Sequence, residues 1–310
     1  MNKLQNRRIT VNSILQDFLF YEKASLKSSS YSTYSRIVDN HIIPEFGNRV
    51  ISDIKLSEIN KFLINKSEIS ELSSSTVCSI ACVTCEYLRF ASRLGIETAN
   101  VKLVSRPKKT RHSVTIFTNA ESNRIKKYCK DNLNTETLGI MICLYTGLRL
   151  GEVCALRWSD ISFDYETLNV HKTVQRIKNP DKSSARKTLI SIDSPKSESS
   201  VRTIPIPQPL LKLLKKLRPA KDCFIVSNCP EKPQDPRVFQ AHYKKYLEFA
   251  GVEFENFHVL RHTFATTCAN LNFDPKILSE ILGHSDVSIT FNTYIHPSME
   301  IKKNLMNLLK

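Results

Sequence analysis

Val104 to Ile116 reads VSRPKKTRHSVTI, and this stretch decides the architecture. Arg106, Lys108, Lys109 and Arg111 stand in it without an acid, Pro107 breaks any helix, and little of it is apolar enough to join a core. A segment of this kind separates two folded bodies, as a chain of 310 residues leads one to expect. The run reads either as a solvated linker or as a strap along a phosphate backbone, where each neutralised phosphate would release counterions.

Before the boundary, residues 1–103 have helical periodicity. Thr10 is a good N-cap for VNSILQDFLFYEK, and apolar positions recur over Ser30–Ile43, Leu56–Asn65 and Ser74–Leu94. The pattern predicts a bundle of four helices with turns at Pro44, Gly47 and Gly95. With 13 bases against 10 acids, this part is only mildly basic. Cys78, Cys82 and Cys85 fall at i, i+4 and i+7, but no fourth ligand lies near, and small apolar residues on a core face explain the spacing better than a metal or redox cluster. Nine cysteines, an odd number scattered through helical patterns, predict reduced thiols.

Beyond the boundary, residues 117–310 mix types. Helical patterns near 119–132 and 135–146 precede three β-rich runs, LNVHKTV, RKTLISID and SVRTIPI, and helices follow to the end. The chain therefore reads as mainly α, a helical bundle followed by an α+β domain with a small antiparallel sheet. The formal charge of +15 favours a polyanionic partner such as nucleic acid. A membrane is excluded as partner, because no run approaches about 18 apolar residues and Met1–Thr10 is polar and basic, unlike a signal peptide.

No G-x-x-x-x-G-K-[ST] loop and no carboxylate cluster suited to a magnesium pair is present, so phosphate chemistry must use side chains alone. In TGLRLGE, Thr146–Glu152, two glycines bracket Arg149 at the end of an apolar helix, where the chain can turn sharply and present a guanidinium; an ion pair with Glu152 is the plainer reading. In DSPKSESS, Asp193–Ser200, Lys196 is read at a hairpin tip between two strands, where a solubilising lysine would be ordinary. HVLRH places His258, Arg261 and His262 at i, i+3 and i+4 of one helix, and Val259 stands where a zinc protease would need its glutamate. LGHSD puts His284 just past a glycine helix stop, and Tyr294 follows in NTYIHP, read as a segment between short helices.

In that order and spacing, Arg149, Lys196, His258, Arg261, His284 and Tyr294 resemble the tyrosine recombinases, or phage-type integrases. The resemblance spans essentially the whole chain. FGNRVISDI in the bundle is similar to the family's SAM-like core-binding domain, and residues from about 117 resemble its catalytic domain. All six positions hold the residue types the family uses. The resemblance implies residues 1–103 as core-binding domain, 104–116 as interdomain linker and 117–310 as catalytic domain. The few residues before Thr10 are too short for the extra arm-binding domain that many integrases carry.

The resemblance further implies a bacterial or phage-encoded cytoplasmic enzyme that needs no cofactor and no metal. Its partner is double-stranded DNA, it works as a homotetramer on two duplexes, and a host DNA-bending protein or a directionality factor can join it. Arg149 and Arg261 would clamp the phosphate, Tyr294 would attack with His258 as base, His284 would donate a hydrogen bond to the phosphate, and Lys196 would protonate the departing 5′ oxygen. Arg106, Lys108, Lys109 and Arg111 are the candidate DNA contacts of the linker. Integration or excision of a mobile element is the first reading. Resolution or inversion within the family, a type IB topoisomerase and a catalytically silent DNA binder are the others, and a basic helix-turn-helix regulator would leave the six-residue set unexplained. The amphipathic segment Met299–Leu309 suits docking either into a neighbour or onto its own domain.

Overall fold

Thr10 does what an N-cap must: in the computed structural model, which describes residues 9–107, 114–179, 184–194, 198–294, 303, 306 and 307, its Oγ1 accepts from the Ser13 N–H and opens α1 (Val11–Ser25). Val11, Ile14, Leu15 and Phe18 recur on one face of α1 and are all buried. The chain divides into two compact units, Met1–His112 with Ile177–Leu189, and Ser113–Arg176 with Ile190–Lys310.

In the first unit α2 (Ser28–Ile37) does not end in a turn at Pro44. A π-helical turn, Val38–Ile42, carries it into α3 (Ile43–Phe46), and Pro44 sits in the first turn of α3. A proline ring clashes with the carbonyl four residues back, and the wider π turn moves that carbonyl aside. The helix stops at Gly47, as expected. Then come α4 (Leu56–Glu68) and α5 (Ser74–Arg93), the latter capped by Ser73, whose side chain accepts from Thr76 N–H. From α5, Val77, Ile80, Ala81, Leu88 and Ala91 enter the core beside Phe18 and Ile59; a side chain such as Leu88 contributes about 1.5–3 kcal/mol by leaving water. Cys85 is buried among them, while Cys78 and Cys82 are half-buried.

The second unit is built around α7 (Thr135–Thr146), which follows α6 (Asn119–Asp131). Every residue of α7 from Thr137 to Leu144 is buried, so the helix has no solvent face. Gly139 lets a neighbour come close, because a Cβ there would stand 2.9 Å from Phe239 and Val226. After α8 (Leu150–Ala155) come β1 (Ile161–Ser162), β2 (Thr167–Val170), β3 (Thr173–Lys178), β4 (Thr188–Asp193) and β5 (Arg202–Pro205). Strands β1, β2 and β5 form an antiparallel sheet with Leu168 opposite both Ile161 and Ile204, and β3 pairs with β4. The strands flanking Lys196, β4 and β5, thus belong to different sheets, and the connection is not the hairpin read from the sequence. Burial accounts for it: Ile204 on β5 packs into the core, while Ile190 and Ile192 on β4 remain exposed.

Helices α9 (Gln208–Leu217), α10 (Pro236–Phe249), α11 (His258–Asn270), α12 (Pro275–Leu282) and α13 (Val287–Tyr294) complete the unit. Helix α11 packs along α7, and Phe117 N–H donates to Thr263 Oγ1 on α11 at 3.0 Å. Tyr294 lies in the last turn of α13 rather than between helices, because Asp286 accepts from Ser288 N–H and starts a helix that reaches it. Among the described residues no helix is long and apolar enough to cross a membrane, and no three His, Cys, Asp or Glu side chains gather as a metal site.

Candidate active site

Two glycine stops build the site. Helix α7 ends at Gly147 (φ +67°) and α12 at Gly283 (φ +66°), both left-handed, a conformation in which a side chain would be strained. The last carbonyls of a helix have no partner within it and carry its negative end. Here they hold two arginines. Arg261, on the first turn of α11, donates from Nη1 to Gly147 O at 2.8 Å and from Nη2 to Leu282 O at 2.9 Å. Arg149, the N-cap residue of α8, donates from Nη2 to Gly283 O at 3.1 Å.

Two guanidiniums side by side repel, and Glu152 offsets this. It is 3% exposed; Arg149 Nη1 donates to its Oε1 at 2.8 Å, and Arg149 N–H donates to Oε2 at 2.9 Å. On its other side Arg202, the first residue of β5, pairs with it at 3.0 Å and also donates from Nε to Ile281 O. Burial pushes the Glu152 carboxyl up, but Arg202 and Arg149 outweigh it and hold it below the usual range. One carboxylate among three guanidiniums leaves an excess of positive charge suited to an anion. Arg261 is 2% exposed, and burial, helped by Arg149, lowers its pKa to about 10, still charged at neutral pH.

Three histidines and the tyrosine share this cluster. His284 follows the Gly283 stop; its Nε2 is 2.8 Å from Arg261 Nη2 and its Nδ1 2.8 Å from Thr290 Oγ1. The Tyr294 ring stacks on it at 6.4 Å and is 7% exposed. Tyr294 Oη lies 2.7 Å from Nδ1 of His262, not against His258, whose ring stands edge-on to His262 at 4.7 Å. Burial, with the neighbouring cations, brings His284 to about 4 and lowers His262; His258 is exposed overall, but partial desolvation beside His262 and Arg261 lowers it to about 4 as well. The phenol of Tyr294 is raised by burial, against a downward pull from Arg261 and Arg149. At neutral pH the cluster therefore holds neutral imidazoles, a neutral phenol and charged guanidiniums.

Of the residues singled out from sequence, Arg149, His258, Arg261, His284 and Tyr294 come together. Lys196 lies outside the described residues, as do Lys108, Lys109 and Arg111 and most of Met299–Leu309. Arg106 is exposed beside Cys85 in the first unit. Sequence reasoning missed Glu152 as the buried hub, Arg202, and His262 as the partner of Tyr294. Arg202 did leave a signal: it alternates in the sequence with Ile204 and Ile206, both buried.

The Phage integrase family model matches residues 115–300, and that of the Phage integrase N-terminal SAM-like domain matches residues 10–67. The chain is 28% identical to a "Tyrosine recombinase XerC-like" protein of Caldanaerobacter subterraneus subsp. tengcongensis, over 97% of this chain and 83% of that one. To the ICEBs1 integrase of Bacillus subtilis it is 24% identical, over 94% and 80%. The Tn1549 transposon integrase in complex with a circular intermediate DNA has the same fold, with a TM-score of 0.78 at 21% identity over 97% of this chain and 100% of that one. With the Phage integrase family match covering more than half its length and the SAM-like match in front, the chain belongs to the phage integrase family.

Proposed function

We propose that this chain is a site-specific recombinase that breaks and rejoins duplex DNA through a 3′-phosphotyrosine at Tyr294, integrating or excising a mobile element in the bacterial cytoplasm. One observation carries the reading: a buried tyrosine and two arginines held by helix-end carbonyls meet in one cluster. Each guanidinium uses three of its five N–H groups on the protein, which leaves donors for non-bridging phosphate oxygens. The helix ends and Glu152 fix these donors before substrate arrives, so little reorganisation is needed as charge develops on phosphorus.

A neutral imidazole on α11 takes the phenolic proton as Oη attacks, and Lys196 gives a proton to the departing 5′ oxygen. Replacing one phosphoester by another conserves the bond energy, so a 5′ hydroxyl from a second duplex can reverse the step. Residues 1–103 serve as core-binding domain, 104–116 as linker and 117–310 as catalytic domain, and four copies act on two duplexes. The ICEBs1 relative, named an integrase, supports the reading of integration or excision.

The test is incubation with labelled duplexes from the DNA flanking the gene, followed by denaturation in detergent. An adduct formed by the protein and absent with Tyr294→Phe is the expected result. Tight binding without an adduct would instead favour the silent binder.

A further inference from the structure

The family resemblance assigns the base to His258, and the geometry points elsewhere. Resting on the recombinase reading, we propose that His262 is the residue that accepts the phenolic proton of Tyr294 during cleavage and returns it during rejoining.

His262 Nδ1 is the ring atom that touches the reacting oxygen, at 2.7 Å, within the reach a general base requires. Among the described residues no hydrogen bond joins His258 to Tyr294. His258 opens α11 one turn earlier, near Arg149 and Glu152, which puts it toward the phosphate clamp. The ring of His262 is half-buried between His258 and Tyr294, so its orientation is held by packing from both sides. Burial and Arg261 favour its neutral form, the one able to accept a proton. Tyr294 needs such help, since its own environment keeps the phenol protonated.

The step balances. The O–H bond of Tyr294 breaks as its proton goes to Nδ1, an Oη–P bond forms, the P–O5′ bond breaks, and the 5′ oxygen takes its proton from Lys196. In rejoining, a 5′ hydroxyl attacks phosphorus, its proton goes to Lys196, and His262 imidazolium reprotonates the departing phenolate.

Two measurements test this. In the free protein, 15N NMR should show His262 Nδ1 unprotonated and shifted by Tyr294→Phe; a protonated Nδ1 overturns the proposal without touching the recombinase reading. On a nicked duplex that traps the covalent step, His262→Ala and His262→Asn should bind DNA as the native protein does but form adduct roughly 10²–10⁴-fold more slowly. Replacing Tyr294 with 3,5-difluorotyrosine, a more acidic phenol, should restore the His262 variants and not His258→Ala. A His262 variant at the native rate or faster would reduce the contact to a latch, and a slow variant that fluorination does not rescue would make it structural; either overturns the proposal. No adduct from the native protein would remove the recombinase reading itself, and the proposal with it.

Discussion

Arg261 Nη2 and His284 Nε2 are 2.8 Å apart, and this contact fixes the histidine's tautomer. A guanidinium can only donate, so Nε2 accepts, and the ring's proton sits on Nδ1, facing Thr290 Oγ1 at 2.8 Å. His284 is therefore an acceptor in this state. To donate to a phosphate, as the family resemblance implies, it must release Arg261 and carry a proton on Nε2. An arriving phosphate can drive that exchange, since it gives Arg261 a charged acceptor in place of a neutral one.

Acid should weaken the fold through this pair of rings. His258 and His284 are brought to about 4, from an ordinary value of 6.5, chiefly by burial. Between those values the unfolded chain binds more protons than the folded one, so stability rises with pH. The contribution is complete above about 6.5 and is lost as pH falls toward about 4. For half-buried His284, discounted for its partial exposure, the loss should be roughly 1 kcal/mol between pH 6.5 and 5, and exposed His258 should add less. Urea midpoints at pH 7 and 5 check this, and His284→Asn should flatten the slope. Equal midpoints at the two values would refute it.

Glu152→Gln should be among the most damaging single changes in the second unit. It leaves Arg149 and Arg202 facing each other with no counter-charge at a site 3% exposed. Removing one partner of a buried ion pair costs about 3–5 kcal/mol. Arg202→Leu should cost less, because its aliphatic stem is replaced and Glu152 keeps Arg149. Chemical denaturation of both variants gives the order, and the reverse order would show that Arg202 rather than Glu152 is the hub.

The two stops should differ in tolerance. At Gly147 an added Cβ would stand 2.5 Å from Phe264 and 2.8 Å from Leu282, on top of the left-handed backbone. At Gly283 the nearest atoms belong to Arg202, at 3.0 Å and beyond. Left-handed strain costs an alanine about 1 kcal/mol and overpacking a further 1–3. Gly147→Ala should therefore lose about 3 kcal/mol and Gly283→Ala nearer 1–2. Both should slow adduct formation by displacing the carbonyls that hold Arg261 and Arg149. Normal adduct rates in either would mean that those carbonyls do not set the arginines.

Local chemistry explains what could be read in advance. Thr10, the glycine stops at 147 and 283, and the i, i+3 pair His258 and Arg261 act through neighbours in the chain, and each stands where its spacing placed it. What escaped depends on distant partners. Alternation marks RKTLISID and SVRTIPI as strands but cannot say with which strand each pairs. Pro44 marks a break in α-helical geometry, and a π turn satisfies the same sterics as a turn. Glu152 was legible as the partner of Arg149 three residues back. Its second partner, Arg202, arrives from fifty residues on, a distance no local pattern spans.

Lys196 is testable through the leaving group it would serve. If it protonates the 5′ oxygen, Lys196→Ala should slow cleavage of an ordinary phosphodiester by roughly 10²–10⁴-fold. A substrate with sulfur in place of the bridging 5′ oxygen needs no such proton, because a thiolate leaves readily at neutral pH. On that substrate the variant should regain most of the native rate. A solubilising lysine would show no defect on either substrate. A lysine that only binds phosphate would show the same defect on both, and only the selective rescue marks an acid.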